Sequence, residues 1–149
     1  MKNLKPLLFL FLSILLLSCG LDNARIHNEA FVADTHNDVL LRSLTGRDIL
    51  TDLPESHSDL PKFKDGGVDL QVFSIWVSPS EFKGRYYDRA NTMITQLEYL
   101  CSRVPDQWAI PFNYQDIVYN DQKGILSCMI GVEGGHAIEN DLAKLDALY

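Results

Sequence analysis

His36 and Asp38 stand two residues apart, and Glu133 lies far downstream where an apolar run ends. In an extended strand, residues i and i+2 point to one side. An imidazole nitrogen and a carboxylate oxygen held that way form two corners of a tetrahedral zinc site, with Asn37 facing away. The competing reading of the pair is structural: a histidine bonded to loop backbone and an aspartate capping the helix after it. Glu133 sits in Gly131-Val132-Glu133-Gly134-Gly135, where glycines let backbone or a ligand approach closely. A carboxylate at the end of a buried strand costs on the order of a few kcal/mol unless paired or metal-bound. A metal-ligand role therefore competes with a glutamate bonded to backbone N–H groups of a glycine turn.

The elements that must position these groups follow from periodicity and punctuation. Residues 30–34 read as a short strand running into Thr35-His36-Asn37-Asp38, and a helical patch with Leu40, Leu41 and Leu44 follows. After a loop through Pro54 and Pro61, Asp59 is placed to cap a turn over 60–64 that Gly66-Gly67 stops. Residues 68–77 are β-branched and aromatic, the mark of a second strand. Ala90, Met93, Ile94, Leu97, Cys101 and Val104 trace one face of a helix between 86 and 104. Trp108-Ala109-Ile110 reads as extended, Asn113 caps a helix from 114 to about 122 closed by Gly124, and 125–132 is a buried strand ending at Glu133. Leu142, Leu145 and Leu148 mark a last amphipathic segment. Strands alternating with helices predict an α/β domain with parallel strands, whose shared C-terminal edge would gather His36, Asp38 and Glu133.

Composition and the chain ends narrow the function classes. With 13 basic and 20 acidic residues the formal charge is -7, which argues against nucleic acid as a partner. Lys2 and Lys5, an apolar run over 7–17 and the pair Ser18-Cys19 have the layout of a secretory signal peptide, too short for a permanent span. Leu16-Leu17-Ser18-Cys19-Gly20 resembles the bacterial lipobox, so the expectation is a signal peptide over 1–18, a lipid on Cys19, a polar tether over 19–29 and an exported protein held on a cell membrane, against the competing reading of a plain signal peptide with a chance cysteine. Cleavage would remove two lysines and no acid, taking the charge from -7 to -9. Cys101 and Cys128 have no CxxC spacing; export permits a disulfide, the sequence does not decide whether they meet, and Cys128 reads as a small buried hydrophobe. Three strands fit in the residues after 18, whereas a closed eight-fold barrel needs about 250 residues. The last helical pattern meets Tyr149 without a stop signal, so truncation after about three strands is expected.

Asp34-Thr35-His36-Asn37-Asp38, then 69–77, then Gly131-Val132-Glu133-Gly134-Gly135-His136, in that order and spacing, resemble the membrane dipeptidase family of the amidohydrolase superfamily. The resemblance spans nearly all of 31–149. It implies the N-terminal part of a (β/α)8 TIM-type metallo-hydrolase barrel with two zinc ions: His36 and Asp38 match ligands of one, and Glu133 matches the carboxylate bridging both. It further implies hydrolysis of a dipeptide, with two later histidine ligands and every catalytic residue expected beyond Tyr149. His136 matches no metal ligand and reads as a packing or supporting residue, His27 and His57 as surface residues, and Asp34 either as the group that would fix the His36 ring or as a strand-end surface acid. The paired motifs disfavour a deacetylase or lactonase. The alternative is an inactive, truncated lipoprotein or interaction module, whose open strand edges would favour pairing with a second copy.

Overall fold

The structure is a computed structural model that describes residues 23–149. Cys19 and the expected leader lie outside those residues. The chain divides into two compact units after Ala30. In the first, Asn23–Glu29 forms helix α1, with an i,i+4 ion pair between Arg25 and Glu29 at 3.1 Å. Part of the expected polar tether is therefore helical, because Ala, Arg and Glu are good helix formers however polar the stretch. His27 is exposed on α1, as expected.

The second unit, Phe31–Tyr149, runs β1 (Ala33–Asn37), α2 (Leu40–Ser43), α3 (Leu60–Asp65), β2 (Leu70–Trp76), α4 (Tyr86–Arg103), β3 (Trp108–Ala109), α5 (Tyr114–Lys123), β4 (Leu126–Glu133), a 3-10 turn (Gly135–Ile138) and α6 (Leu142–Leu148). All strand pairs are parallel, in the order β1-β2-β4-β3, which leaves β1 and β3 as the edges of an open sheet. Four strands stand where three were expected. The addition is the extended Trp108–Ala109, too short to show alternation and made a strand by pairing with Leu126 and Ser127.

Helix boundaries follow their caps. Asn113 accepts the Asp116 N–H at 3.0 Å to start α5, and Gly124 ends it in the left-handed region at φ 65°. Asp59 is fully buried and starts α3, accepting the N–H of Lys62 and, at the other oxygen, that of Leu53, each at 2.9 Å. It also pairs with the Lys62 ammonium.

Period-2 burial sorts the faces of the sheet. Phe73 and Ile75 turn toward the helices and pack with Met93, Leu97 and Leu100 of α4 and with Phe63. Phe63, Phe73 and Trp108 form an aromatic cluster with centroids 5.3 to 6.1 Å apart. Each such buried side chain contributes roughly 1.5–3 kcal/mol as an upper bound, so this layer fixes the sheet. Cys101 and Cys128 both lie in the same core as free thiols, which bears out the reading of Cys128 as a buried hydrophobe. Among the described residues no helix is long and apolar enough to cross a membrane.

Candidate metal centre

β2 and β4 are paired in continuous register, with Trp76 opposite Glu133, Ser74 opposite Gly131 and Phe73 opposite Ile130. Partners in neighbouring strands share a face. Glu133 therefore lies on the face of Ser74 and Trp76, away from the helices. Gly131 leaves room for the Val72 side chain, since a Cβ on it would come within 2.7 Å of Val72 Cγ1.

β1 reaches the same face by an irregularity. Asp34 pairs with Gln71 and Asn37 with Phe73, so one extra residue stands in β1 between them. Asp34 and Asn37 thus share the helix-side phase although they are three apart, and His36 and Asp38 fall on the other side. The expected i, i+2 relation holds for His36 and Asp38 but fails for Asp34. The Asp34 carboxylate accepts the backbone N–H of His36 at 3.2 Å rather than a proton of the ring. Asn37 donates to the Ser58 hydroxyl at 3.1 Å and accepts the Val39 N–H at 2.9 Å. It thereby takes the local turn-forming role that the structural reading assigned to Asp38, whose side chain caps nothing in α2.

The result is one constellation at the C-terminal edge of the sheet. His36 Nε2 lies 3.6 Å from Asp38 Oδ2 and 3.6 Å from Glu133 Oε2. One donor atom from each of the three residues falls within 4.8 Å of the others, and among the described residues this is the one such cluster. The Ser74 hydroxyl donates to Glu133 Oε2 at 2.9 Å, so Glu133 does not bond to turn N–H groups as its structural reading required. An open cavity of about 290 Å³ is walled by the three donors with Leu41 and Trp76. A nitrogen and two carboxylate oxygens that converge on one point without contacting one another fit a divalent cation of zinc type. A larger cavity of about 420 Å³ at the opposite, N-terminal ends of β2 to β4 is lined by Asp69 and Asp106 but holds no group of three such donors.

A family model for membrane dipeptidases, peptidase family M19, matches residues 22–149. The chain belongs to that family. Dipeptidase 3 of Mus musculus is 32% identical over 125 residues, covering 79% of this chain and 24% of the mouse protein. Dipeptidase 3 of Rattus norvegicus is 29% identical over 127 residues, covering 79% and 25%. The chain thus spans about a quarter of the curated relatives it matches. Among solved structures, the M19 metallopeptidase called dipeptidase AC superposes with a TM-score of 0.66 at 24% identity, over 79% of this chain and 40% of that one. The probable dipeptidase PvdM from Pseudomonas aeruginosa gives 0.69 at 18% identity, over 84% and 33%. These two likenesses show the fold: an α/β unit with a parallel sheet that resembles part of a larger metallohydrolase.

Within this M19 framework the other histidines of the second unit, His57 and His136, are not members of the donor cluster. His136 turns its Nε2 to the Val77 carbonyl at 2.8 Å and its ring edge to Tyr86, the supporting role expected of it. His57 is exposed and lines a cavity of about 180 Å³ beside Asp38. Sequence reasoning gave no role to Ser74 or Trp76. The signal was available, since a serine inside an apolar strand, two positions before a tryptophan opposite the glutamate, shares the face of that glutamate.

Proposed function

We propose that this chain supplies the His36–Asp38–Glu133 part of the metal centre of a zinc-dependent dipeptidase. The observation that carries the proposal is the convergence of those three donors at the C-terminal edge of a parallel sheet, in a chain of the M19 family. Zinc bound there would act as a Lewis acid on a peptide carbonyl and lower the pKa of water toward neutrality. The chain's own residues do the rest that is assigned to it. His36 offers a neutral nitrogen, Asp38 and Glu133 offer the two negative charges that balance a divalent cation, and the Ser74 hydroxyl aims the Glu133 carboxylate. Trp76 and Leu41 line the open cavity beside the donors.

A second zinc ion sharing Glu133, dipeptide substrates, export and attachment through Cys19 belong to the same reading. They are supported by family membership, by the relatives' names and by the lipobox-like 16–20. Catalytic work by the 149-residue chain alone is a different matter. Among the described residues one donor cluster is present, and the chain spans a quarter of Dipeptidase 3. A role as an inactive module, or as a pair of copies joined at the open edges β1 and β3, is therefore the second reading.

Metal analysis and a dipeptide assay at saturating zinc test both parts. The purified chain should hold at most one zinc, lose it in His36→Ala, and show no turnover above buffer. Failure of the wild type to bind zinc would overturn the metal reading, and zinc-dependent cleavage by the chain alone would overturn the division of labour.

A further inference from the structure

Helix α4 begins without a cap of its own, since Arg85 supplies no side-chain hydrogen bond to its first turn. The N–H of Tyr86 is instead met by Glu139 Oε1 at 2.8 Å, from a residue 53 positions further along. A carboxylate is well suited to that place, because unpaired N–H groups and the helix dipole both favour negative charge. The other oxygen of Glu139 pairs with Lys144 at the start of α6, which holds the side chain across two elements.

The backbone around Glu139 is unusual. Glu139 and Asn140 both adopt the left-handed region, at φ 53° and 60°. Two consecutive non-glycine residues there persist only where the surroundings over-determine them, and such strain gathers at functional sites. The strained pair closes the turn that leaves Glu133. Within that turn, Gly134 has φ 94°, and a Cβ on it would lie 2.6 Å from the His136 ring. The ring holds the Val77 carbonyl at 2.8 Å and meets Tyr86 edge-on at 5.2 Å. The turn after β4 is thus tied twice to the segment after β2: at Val77, next to the cavity-lining Trp76, and at Tyr86.

We propose that Glu139 is a positioning residue for the metal centre, fixing the Glu133 carboxylate by locking the 134–140 turn onto the N-terminus of α4. The inference rests on the metal reading given above. Glu133 is the last residue of β4, half exposed, and anchored through its side chain by Ser74 alone among the described hydrogen bonds. The ladder to Trp76 holds the Glu133 backbone, and pinning the turn beyond it limits how far the strand end can swing. Glu139 does not touch the metal; its effect passes through the backbone.

The test uses the full chain and two variants, with zinc affinity measured by competition against a chromophoric chelator and hydrogen exchange measured on metal-free protein. Glu139→Ala should weaken zinc binding about tenfold, the lower end for loss of a supporting partner, whereas Glu139→Gln should stay within about threefold because its amide oxygen still accepts the Tyr86 N–H. Exchange of amides 134–138 should quicken in Glu139→Ala and stay near wild type in Glu139→Gln. A cap serving α4 alone would lower the melting temperature of Glu139→Ala and leave both zinc affinity and exchange in 134–138 unchanged, and that result would overturn the proposal. So would equal losses in the two variants, since the lost charge rather than the lost position would then be responsible. If wild type bound no zinc the metal reading would fail on its own. Exchange would then decide whether Glu139 pins the turn, and unchanged protection would remove that claim as well.

Discussion

Replacing Glu133 by glutamine removes one negative charge from the metal centre while keeping size and shape. The three donor side chains are 49 to 58% exposed, so the appropriate dielectric is close to that of water. At a zinc–oxygen distance of about 2.1 Å, a divalent ion and a unit charge then attract by roughly 4 kcal/mol. The substitution also relieves the repulsion between the two carboxylates, whose donor atoms lie within 4.8 Å. That repulsion, about 0.9 kcal/mol, acts with and without the metal and so cancels from the zinc affinity. The loss of zinc affinity is thus about 4 kcal/mol, or roughly 900-fold. Metal-free protein should respond in the opposite sense. The Ser74 hydroxyl still finds an amide oxygen to bond, and with the repulsion gone the variant should unfold no more easily than wild type. Chelator competition measures the first quantity and urea unfolding in the presence of a strong chelator the second. Unchanged zinc affinity would remove Glu133 from the ligand set. A loss of several kcal/mol in metal-free stability would show that the carboxylate serves the fold instead.

Asp59→Asn should destabilise the protein by roughly 2 kcal/mol at neutral pH, the cost of weakening a buried, charge-assisted hydrogen-bond set. Burial pushes the Asp59 carboxyl up, but the Lys62 ammonium and the N–H groups of Leu53 and Lys62 outweigh it and hold it below its ordinary range. Its contribution is therefore present above the unfolded pKa and lost as pH falls through the lower folded one, so urea unfolding of wild type and variant should converge in strong acid; a gap independent of pH would contradict this. Gly134→Ala forces a Cβ into the His136 ring at a backbone angle L-residues rarely adopt, and should cost about 1–3 kcal/mol and speed exchange around Val77, readable by thermal melting and hydrogen exchange. For Cys19, labelling with a palmitate analogue in a bacterial host should mark the wild-type chain and not Cys19→Ala, which should also leave the membrane fraction; equal labelling of both would dismiss the lipid anchor.

Much of the architecture was legible because local rules and tertiary demands agree. The α4 face shows this: Ala90, Met93, Leu97 and Cys101 are buried at the spacing read from the sequence, because a helix packed on a sheet can hide only one stripe. Asn113, Gly124 and Asp59 mark their helix ends because each meets a backbone need within a few residues of itself. His36, Asp38 and Glu133 were legible for a related reason, since strands that run parallel place their C-terminal residues at one edge whatever the rest of the fold does.

What depended on partners distant in sequence was not legible. β3 is a strand only because Leu126 and Ser127 lie beside it. Strict alternation put Asp34 on the same side as His36. The extra residue in β1 moved it to the opposite phase, and such a residue shows itself only as a register between two strands. Ser74 beneath Glu133 and Glu139 at the head of α4 bridge 59 and 53 positions of chain. The sequence by itself determined which groups could bind a metal and at which edge of which kind of sheet they would meet, because residue type and strand direction are local properties. Only the tertiary structure decided which neighbours aim those groups, because a hydrogen bond between distant segments depends on register and on the path of the intervening chain, and neither is encoded at either end of the bond.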